Sequence, residues 1–214
     1  MSQTYGIEFR TAGPQEVHCI RRTAEAATEV HVTTQAREAA ELDTGLHFFN
    51  HMLELVAWYG EINITARFRT ERFRLTHVIT EDVGLTLGYA LARLLRERIP
   101  AGANCFGSRS MCIDEAVAAA VVSFEGRSGS FIERACEGAT VERVEDMVSR
   151  DLLQFFNGFA QGAGCTIHLN LSGTEDPHHA WEAGFRAFGL ALRDALAPNA
   201  WRKGVGYSVK QVEG

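Results

Sequence analysis

HHAWEAGFRAF, residues 178–188, is the stretch from which the rest of the chain is read. On an α-helix, positions four apart share a face, so His178 and Glu182 project together. His179 and Glu182, three apart, are neighbours as well. The two histidines diverge by roughly 100° around the axis, which suits ligands for two ions, or for one ion in each of two subunits. A partial copy lies upstream at His77-Val78-Ile79-Thr80-Glu81-Asp82, with the His-to-Glu spacing kept and Val78 in place of the second histidine.

Working outward, the two motifs sit in similar surroundings. Phe48-Phe49-Asn50 precedes the first and Phe155-Phe156-Asn157 the second, each followed by a glycine, an alternating strand and the His-x-x-x-Glu helix. Gly88-Tyr89-Ala90-Leu91 then matches Gly189-Leu190-Ala191-Leu192 in the register that aligns His77 with His178. Self-similarity of this kind points to an internally duplicated α+β half, each half a mainly antiparallel sheet packed by two helices. The spacing predicts strands over 17–24, 28–34, 62–68 and 166–171, and a buried strand over 116–124. Helices are predicted around Phe49–Ala57, Val83–Leu94, 148–160 and 181–196. The expected partition is a leader at 1–16, a first half at 17–112, a second half at 113–197 and an irregular tail at 198–214.

The chain has 214 residues, 46% hydrophobic and 22% charged, with a net charge of -6. That charge, with no Lys/Arg run, argues against a nucleic-acid surface. No apolar run approaches the ~20 residues of a membrane span, and the N-terminus lacks a secretory core, so a cytoplasmic protein is expected. Five cysteines without CxxC spacing fit reduced, structurally incidental thiols.

Of eight histidines, His18, His31 and His47 lie outside the paired units and read as ordinary surface or hydrogen-bonded residues. His51, His77, His168, His178 and His179 lie within them. Imidazole with carboxylate and no thiolate suits Mn, Fe, Co, Ni or Zn.

These motifs resemble those of the imidazoleglycerol-phosphate dehydratase family, from Arg21 to about Val205. Arg21-Arg22-Thr23-Ala24-Glu25 resembles the family's RxTxET, and Thr44 to Leu53 its TGxxFFDHML. His77 to Asp82 resembles HHTxED, Ile113-Asp114-Glu115-Ala116 resembles MDEA, and Gly126-Arg127 resembles SGR. Thr166-Ile167-His168 resembles TLH, and Pro177 to Ala187 resembles NxHHxxEAxFKA. The resemblance implies the ribosomal protein S5 domain 2-like fold, itself a duplicated α+β half. It implies a lyase of histidine biosynthesis that removes water from imidazole glycerol phosphate to give imidazole acetol phosphate. It further implies one or two Mn2+ per chain at the subunit interfaces of a 24-subunit homo-oligomer. Carried over residue by residue, the metal ligands are His51, His77, Glu81, His168, His178, His179 and Glu182. The acid–base residues are Glu25 and Asp114, and the substrate-binding cations Arg127, Arg186 and Lys203. The carbon hydrogen that leaves is not acidic, so the substrate ring must take up the electrons, assisted by a Lewis acid on its nitrogens. A carboxylate such as Glu25 within hydrogen-bond reach would shuttle protons.

The departures from the family pattern are concentrated at the site. Val78 removes an imidazole from the first motif. Asn50 replaces an aspartate expected to orient the neighbouring His51. Tyr59 stands where a histidine is common, and Arg186 replaces a lysine. Cys105 replaces an arginine, and Trp201 a serine, at positions the family uses for phosphate, with Arg202 as a compensating cation. Three functional expectations follow: a working dehydratase with a variant site, a divergent paralogue acting on another small substrate, or a non-catalytic metal-binding oligomeric relative.

Overall fold

The structure, a computed structural model, describes residues 5–206. The chain opens with β1 (Gly6–Ala12), β2 (Glu16–Arg22), β3 (Ala27–Thr33) and the short β4 (Glu41–Asp43). Helix α1 (His47–Gly60), strand β5 (Asn63–Arg69) and helix α2 (Thr76–Arg98) complete the first half. The second begins with β6 (Phe106–Ile113), β7 (Ala116–Ser123) and β8 (Gly129–Arg134). An excursion follows, with the one-turn α3 (Glu137–Thr140) and a hairpin of β9 (Arg143–Val144) and β10 (Met147–Val148). Helix α4 (Asp151–Ala163), strand β11 (Thr166–Ser172) and helix α5 (Pro177–Leu196) close the fold.

The strands form sheets in the orders β1-β2-β3-β5-β4 and β6-β7-β11-β8. In each half the last-named strand is parallel to its neighbour, β4 to β5 and β8 to β11, and the other pairs are antiparallel. The order β2-β3-β5-β4 therefore maps onto β6-β7-β11-β8, with α1 and α2 corresponding to α4 and α5. The duplication inferred from FFN and the paired motifs is a duplication of topology.

Three details differ from the sequence reading. The expected leader contains β1, an edge strand antiparallel to β2 with a register shift between Phe9 and Thr11, although every residue in it is exposed. The junction between halves falls at residues 99–105 rather than at 112/113, because β6 pairs with β7. Strand β7 is half buried: Ala116, Ala118, Ala120 and Val122 face inward while Val117 and Val121 are exposed.

The helices pair across the halves, α2 on α4 and α1 on α5, between the two sheets. Glycines set the α2–α4 distance. A Cβ on Gly84 would stand 2.2 Å from the Phe155 carbonyl oxygen, and one on Gly162 would stand 2.0 Å from that of Leu85. Phe49, Phe155, Phe156, Phe159, Phe185 and Phe188 fill the layer around this crossing. Phe155 stacks on Phe185 with centroids 5.3 Å apart, and Phe156 meets Phe188 edge-on at 5.2 Å.

Candidate metal centre

Helix α5 starts immediately before its two histidines. The Asp176 carboxylate accepts from the backbone N–H of His178 at 2.7 Å and of His179 at 3.3 Å, and Pro177 occupies the first helical position. This cap pins the first turn, so the two imidazoles leave it in fixed, different directions. Their ring planes are 87° apart.

His178 turns toward α1. Its Nε2 lies 3.1 Å from Glu182 Oε2, and His51 Nε2, from α1, lies 3.7 Å from the same oxygen. Around an ion with bonds of about 2.1 Å, ligand atoms subtending 90–109° stand roughly 3.0–3.4 Å apart, so the 3.1 Å separation falls within that range and the 3.7 Å one lies just beyond it. One ligand atom of each residue lies within 4.8 Å of the others. Glu182 is 6% exposed, and its second oxygen is taken by Arg186, whose Nε donates at 3.1 Å and whose terminal nitrogen also bonds it. The Arg186 guanidinium lies over the Tyr59 ring at 5.5 Å. Burial alone would raise the Glu182 carboxyl, but Arg186 with His51 and His178 outweighs it, and the net pKa is lowered.

This balance carries a pH prediction. A ligand must be deprotonated to bind, so a lowered Glu182 pKa extends metal binding toward acid. Removing the guanidinium in Arg186→Gln leaves burial dominant and raises that pKa. Metal affinity should then fail at a higher pH on acidification, read by dye competition across pH 4–8; superimposable pH curves would contradict it.

His179 turns the other way, toward the β6–β7 turn. Its Nδ1 lies 3.1 Å from Glu115 Oε1, and its Nε2 lies 3.9 Å from Asp114 Oδ2. The Thr174 hydroxyl donates to the same Glu115 oxygen and, with His179, holds the Glu115 pKa down to about 2. The His179 pKa is raised, chiefly by the Glu115 hydrogen bond. These three residues also form a group with ligand atoms within 4.8 Å. Glu115 lies inside the IDEA run but was assigned no role from the sequence, although its neighbour Asp114 was.

The remaining expected residues stand elsewhere in the chain. His77 is exposed in the first turn of α2, with Glu81 a turn further on. His168 projects from the outer face of β11 and stacks on Phe131 at 4.9 Å, away from the helix layer. Glu25 is exposed at the β2–β3 turn, where its backbone oxygen accepts from the Thr70 hydroxyl at 2.7 Å. Arg127 and Lys203 are exposed.

The substituted positions can now be placed. Val78 packs against the core and shares a cavity of about 110 Å³ with Glu25, Phe68 and Leu75. Asn50 does not reach His51; its amide oxygen accepts from the Thr44 hydroxyl at 2.7 Å and the Thr44 N–H at 3.2 Å. Asn50 instead holds the turn before α1. Cys105 is 3% exposed, and burial raises its thiol pKa against the lowering pull of Arg202. Arg202 lies over Phe106 at 5.0 Å and donates to the Asn104 oxygen, while Trp201 is 89% exposed.

His18 and His31 pair with Glu29 and Glu16 at 2.7 and 2.9 Å on the outer face of the first sheet, as surface histidines are expected to do.

Comparison with known proteins bears on this arrangement. Residues 44–192 match the profile of the family described as imidazoleglycerol-phosphate dehydratase. The imidazoleglycerol-phosphate dehydratase of Paracidovorax citrulli is 34% identical over 199 residues, covering 92% of each chain. That of Halorhodospira halophila is 35% identical over 177 residues, covering 83% of this chain and 87% of the relative. Among solved structures, the enzyme from Pyrococcus furiosus superposes with a TM-score of 0.68 at 29% identity, covering 84% of this chain and 94% of that one. The Staphylococcus aureus enzyme shares the fold, with a TM-score of 0.73 at 24% identity over 86% of this chain and 99% of that one. The two-sheet duplicated fold, the His51/His178/Glu182 group and a profile match spanning both motifs converge: this chain belongs to the imidazoleglycerol-phosphate dehydratase family.

Proposed function

We propose that this chain is a metal-dependent hydro-lyase that converts imidazole glycerol phosphate to imidazole acetol phosphate and water. The observation that carries this reading is the convergence of His51, His178 and Glu182 from opposite halves of the duplication, in a chain that belongs to this family. The donor set fits a borderline divalent cation, with Mn2+ our assignment. When bound, such an ion supplies Lewis acidity and a template for the imidazole ring of the substrate.

The protein's own residues have distinct tasks. Glu182 offers one oxygen to the ion while Arg186 holds the other, so Arg186 acts first on the ligand and second on substrate. Glu115 stays a carboxylate at working pH and keeps His179 turned by its Nδ1, leaving Nε2 forward. Asp114, beside that Nε2, is the acid–base group we assign to this end of the site, and Glu25 the one at the His77 end. Arg127 and Lys203 are assigned to the phosphate. His77, Glu81 and His168 join no three-ligand group among the described residues, and we assign them to junctions between copies in a homo-oligomer, a 24-subunit shell. Among the described residues no helix is long and apolar enough to cross a membrane, and a cytoplasmic location is part of the proposal.

A second reading has one observation in its favour. With valine packed on the core at 78 and a buried thiol at 105, the chain lacks an imidazole and a guanidinium that its family resemblance leads one to expect. A divergent paralogue acting on another small substrate fits that loss better than the non-catalytic relative does, because the two histidine groups are intact.

The assay is turnover of imidazole glycerol phosphate by the Mn2+-supplemented protein. The first reading expects slow but metal-dependent product, increased by Val78→His with Cys105→Arg. No product from either protein would leave only the paralogue and the non-catalytic relative.

A further inference from the structure

The excursion between β8 and α4 has no counterpart in the first half, and its hairpin tip touches both helices that carry the His51/His178/Glu182 group. Glu145 Oε1 lies 2.9 Å from His178 Nδ1. Its neighbour Asp146 accepts from the backbone N–H of His47 at 2.7 Å and of Phe48 at 3.0 Å, capping α1, whose own N-cap residue Leu46 supplies no side-chain bond. The hairpin is anchored to α5 itself. Val144 and Met147 are buried, and the Trp181 indole N–H donates to the buried Ser149 hydroxyl at 2.8 Å, one turn along from His178.

Glu145 is also held at φ +47°, a left-handed conformation that costs a residue with a Cβ and costs glycine nothing. Its side chain is exposed, and its carboxylate reaches His178. Strain retained at such a position calls for a function that the side chain performs.

We propose that the Glu145–Asp146 tip is the positioning clamp of the metal group: Glu145 takes the Nδ1 proton of His178 in a hydrogen bond and so presents Nε2 to the ion, while Asp146 fixes the helix that brings His51. This deepens the metal-dependent reading above and rests on it. A carboxylate behind the non-ligating ring nitrogen sets tautomer and orientation and strengthens the ligand. Competition for the ring proton comes from Glu182, 3.1 Å from Nε2, but its charge is already engaged by Arg186. Glu145 is therefore the better acceptor. The same device recurs one residue on, where Glu115 stands behind Nδ1 of His179.

Four variants test this: Glu145→Ala, Glu145→Gly, Glu145→Gln and, as reference, His178→Ala. In metal-free protein at a pH where each imidazole keeps one proton, 15N spectra should place the His178 proton on Nδ1 in the parent and on Nε2 in Glu145→Ala. Affinity for Mn2+, or for Co2+ followed by its absorption bands, should fall 10–100-fold in the alanine and glycine variants. Glu145→Gln, which keeps an acceptor oxygen, should retain most of it. The melting temperature should rise in Glu145→Gly, so stability and affinity move in opposite directions, which a merely structural role does not allow. An unmoved ring proton in Glu145→Ala, or parental metal affinity in Glu145→Gly, overturns the clamp. Equal metal affinity in His178→Ala and the parent overturns the metal reading instead, and the ring spectra still decide the clamp.

Discussion

His178→Ala should lose one bound ion per chain and at least ~10³ in turnover, about 4 kcal/mol of transition-state stabilisation. The size of the effect follows from what surrounds the imidazole. Glu182 is buried and stays charged because three cationic or cation-binding neighbours face it. Without His178, one carboxylate oxygen still bonds Arg186, while the other faces only His51, at 3.7 Å. Two ligands in place of three leave too little to hold the ion against water. The loss should be confined to one of the two groups, because His179 turns to Glu115 and does not meet Glu182. His179→Ala is the control: it should spare the His51/Glu182 group and empty the other. Elemental analysis of purified protein gives the stoichiometry, and light scattering reports whether the proposed homo-oligomer survives. An intact metal content in His178→Ala would sink the assignment of this group as a metal centre.

Which of these features were legible beforehand follows from the range of the interactions involved. His178 and Glu182 lie on one helix, so the 3.6-residue repeat alone brings them together, and the same repeat separates His178 from His179. The duplicated topology was legible through FFN and GxAL, because side chains at a helix crossing are constrained in both copies. The partner of His178 across the halves was not legible from spacing. His51 reaches it only because α1 lies on α5 and not on α4. Glu145 and Asp146 were missed for the same reason: their partners are 33 and about 100 residues away. Only an acidic pair at a hairpin tip, between the buried Val144 and Met147, marks them locally. Strand β1 was not legible because its pairing with β2 buries neither of its faces, so no core face marks the segment.

The same reasoning explains why a duplicated chain carries the group once, and leads to the largest structural effect expected of a single substitution. The topological match that pairs α1 with α4 sets His51 against Gly158, and His178/Glu182 against His77/Glu81. The second half-site thus has its helix ligands but glycine where the third ligand would stand. Gly158→His would restore the symmetry on paper. In the structure, a Cβ at 158 would lie 2.3 Å from the Glu81 carbonyl oxygen and 3.0 Å from the Leu85 nitrogen, both backbone atoms that no rotamer change can move. Gly84, Gly88 and Gly162 line the same crossing, so the two helices would have to separate along its length. That separation would open the packing of Phe155 and Phe159 against the layer around them. Overpacking ordinarily costs 1–3 kcal/mol, roughly, where side chains can yield. Here backbone must yield, and the cost should exceed about 5 kcal/mol, comparable to the whole stability of many domains. Gly158→His should therefore be largely unfolded by circular dichroism at 25 °C and should bind no additional ion. A folded variant with a new metal site at His77 and Glu81 would refute this account. The asymmetry of the two motifs is then a packing decision as much as a chemical one. Glycine at 158 closes the α2–α4 crossing, and that closure leaves His77 and Glu81 without a third ligand among the described residues.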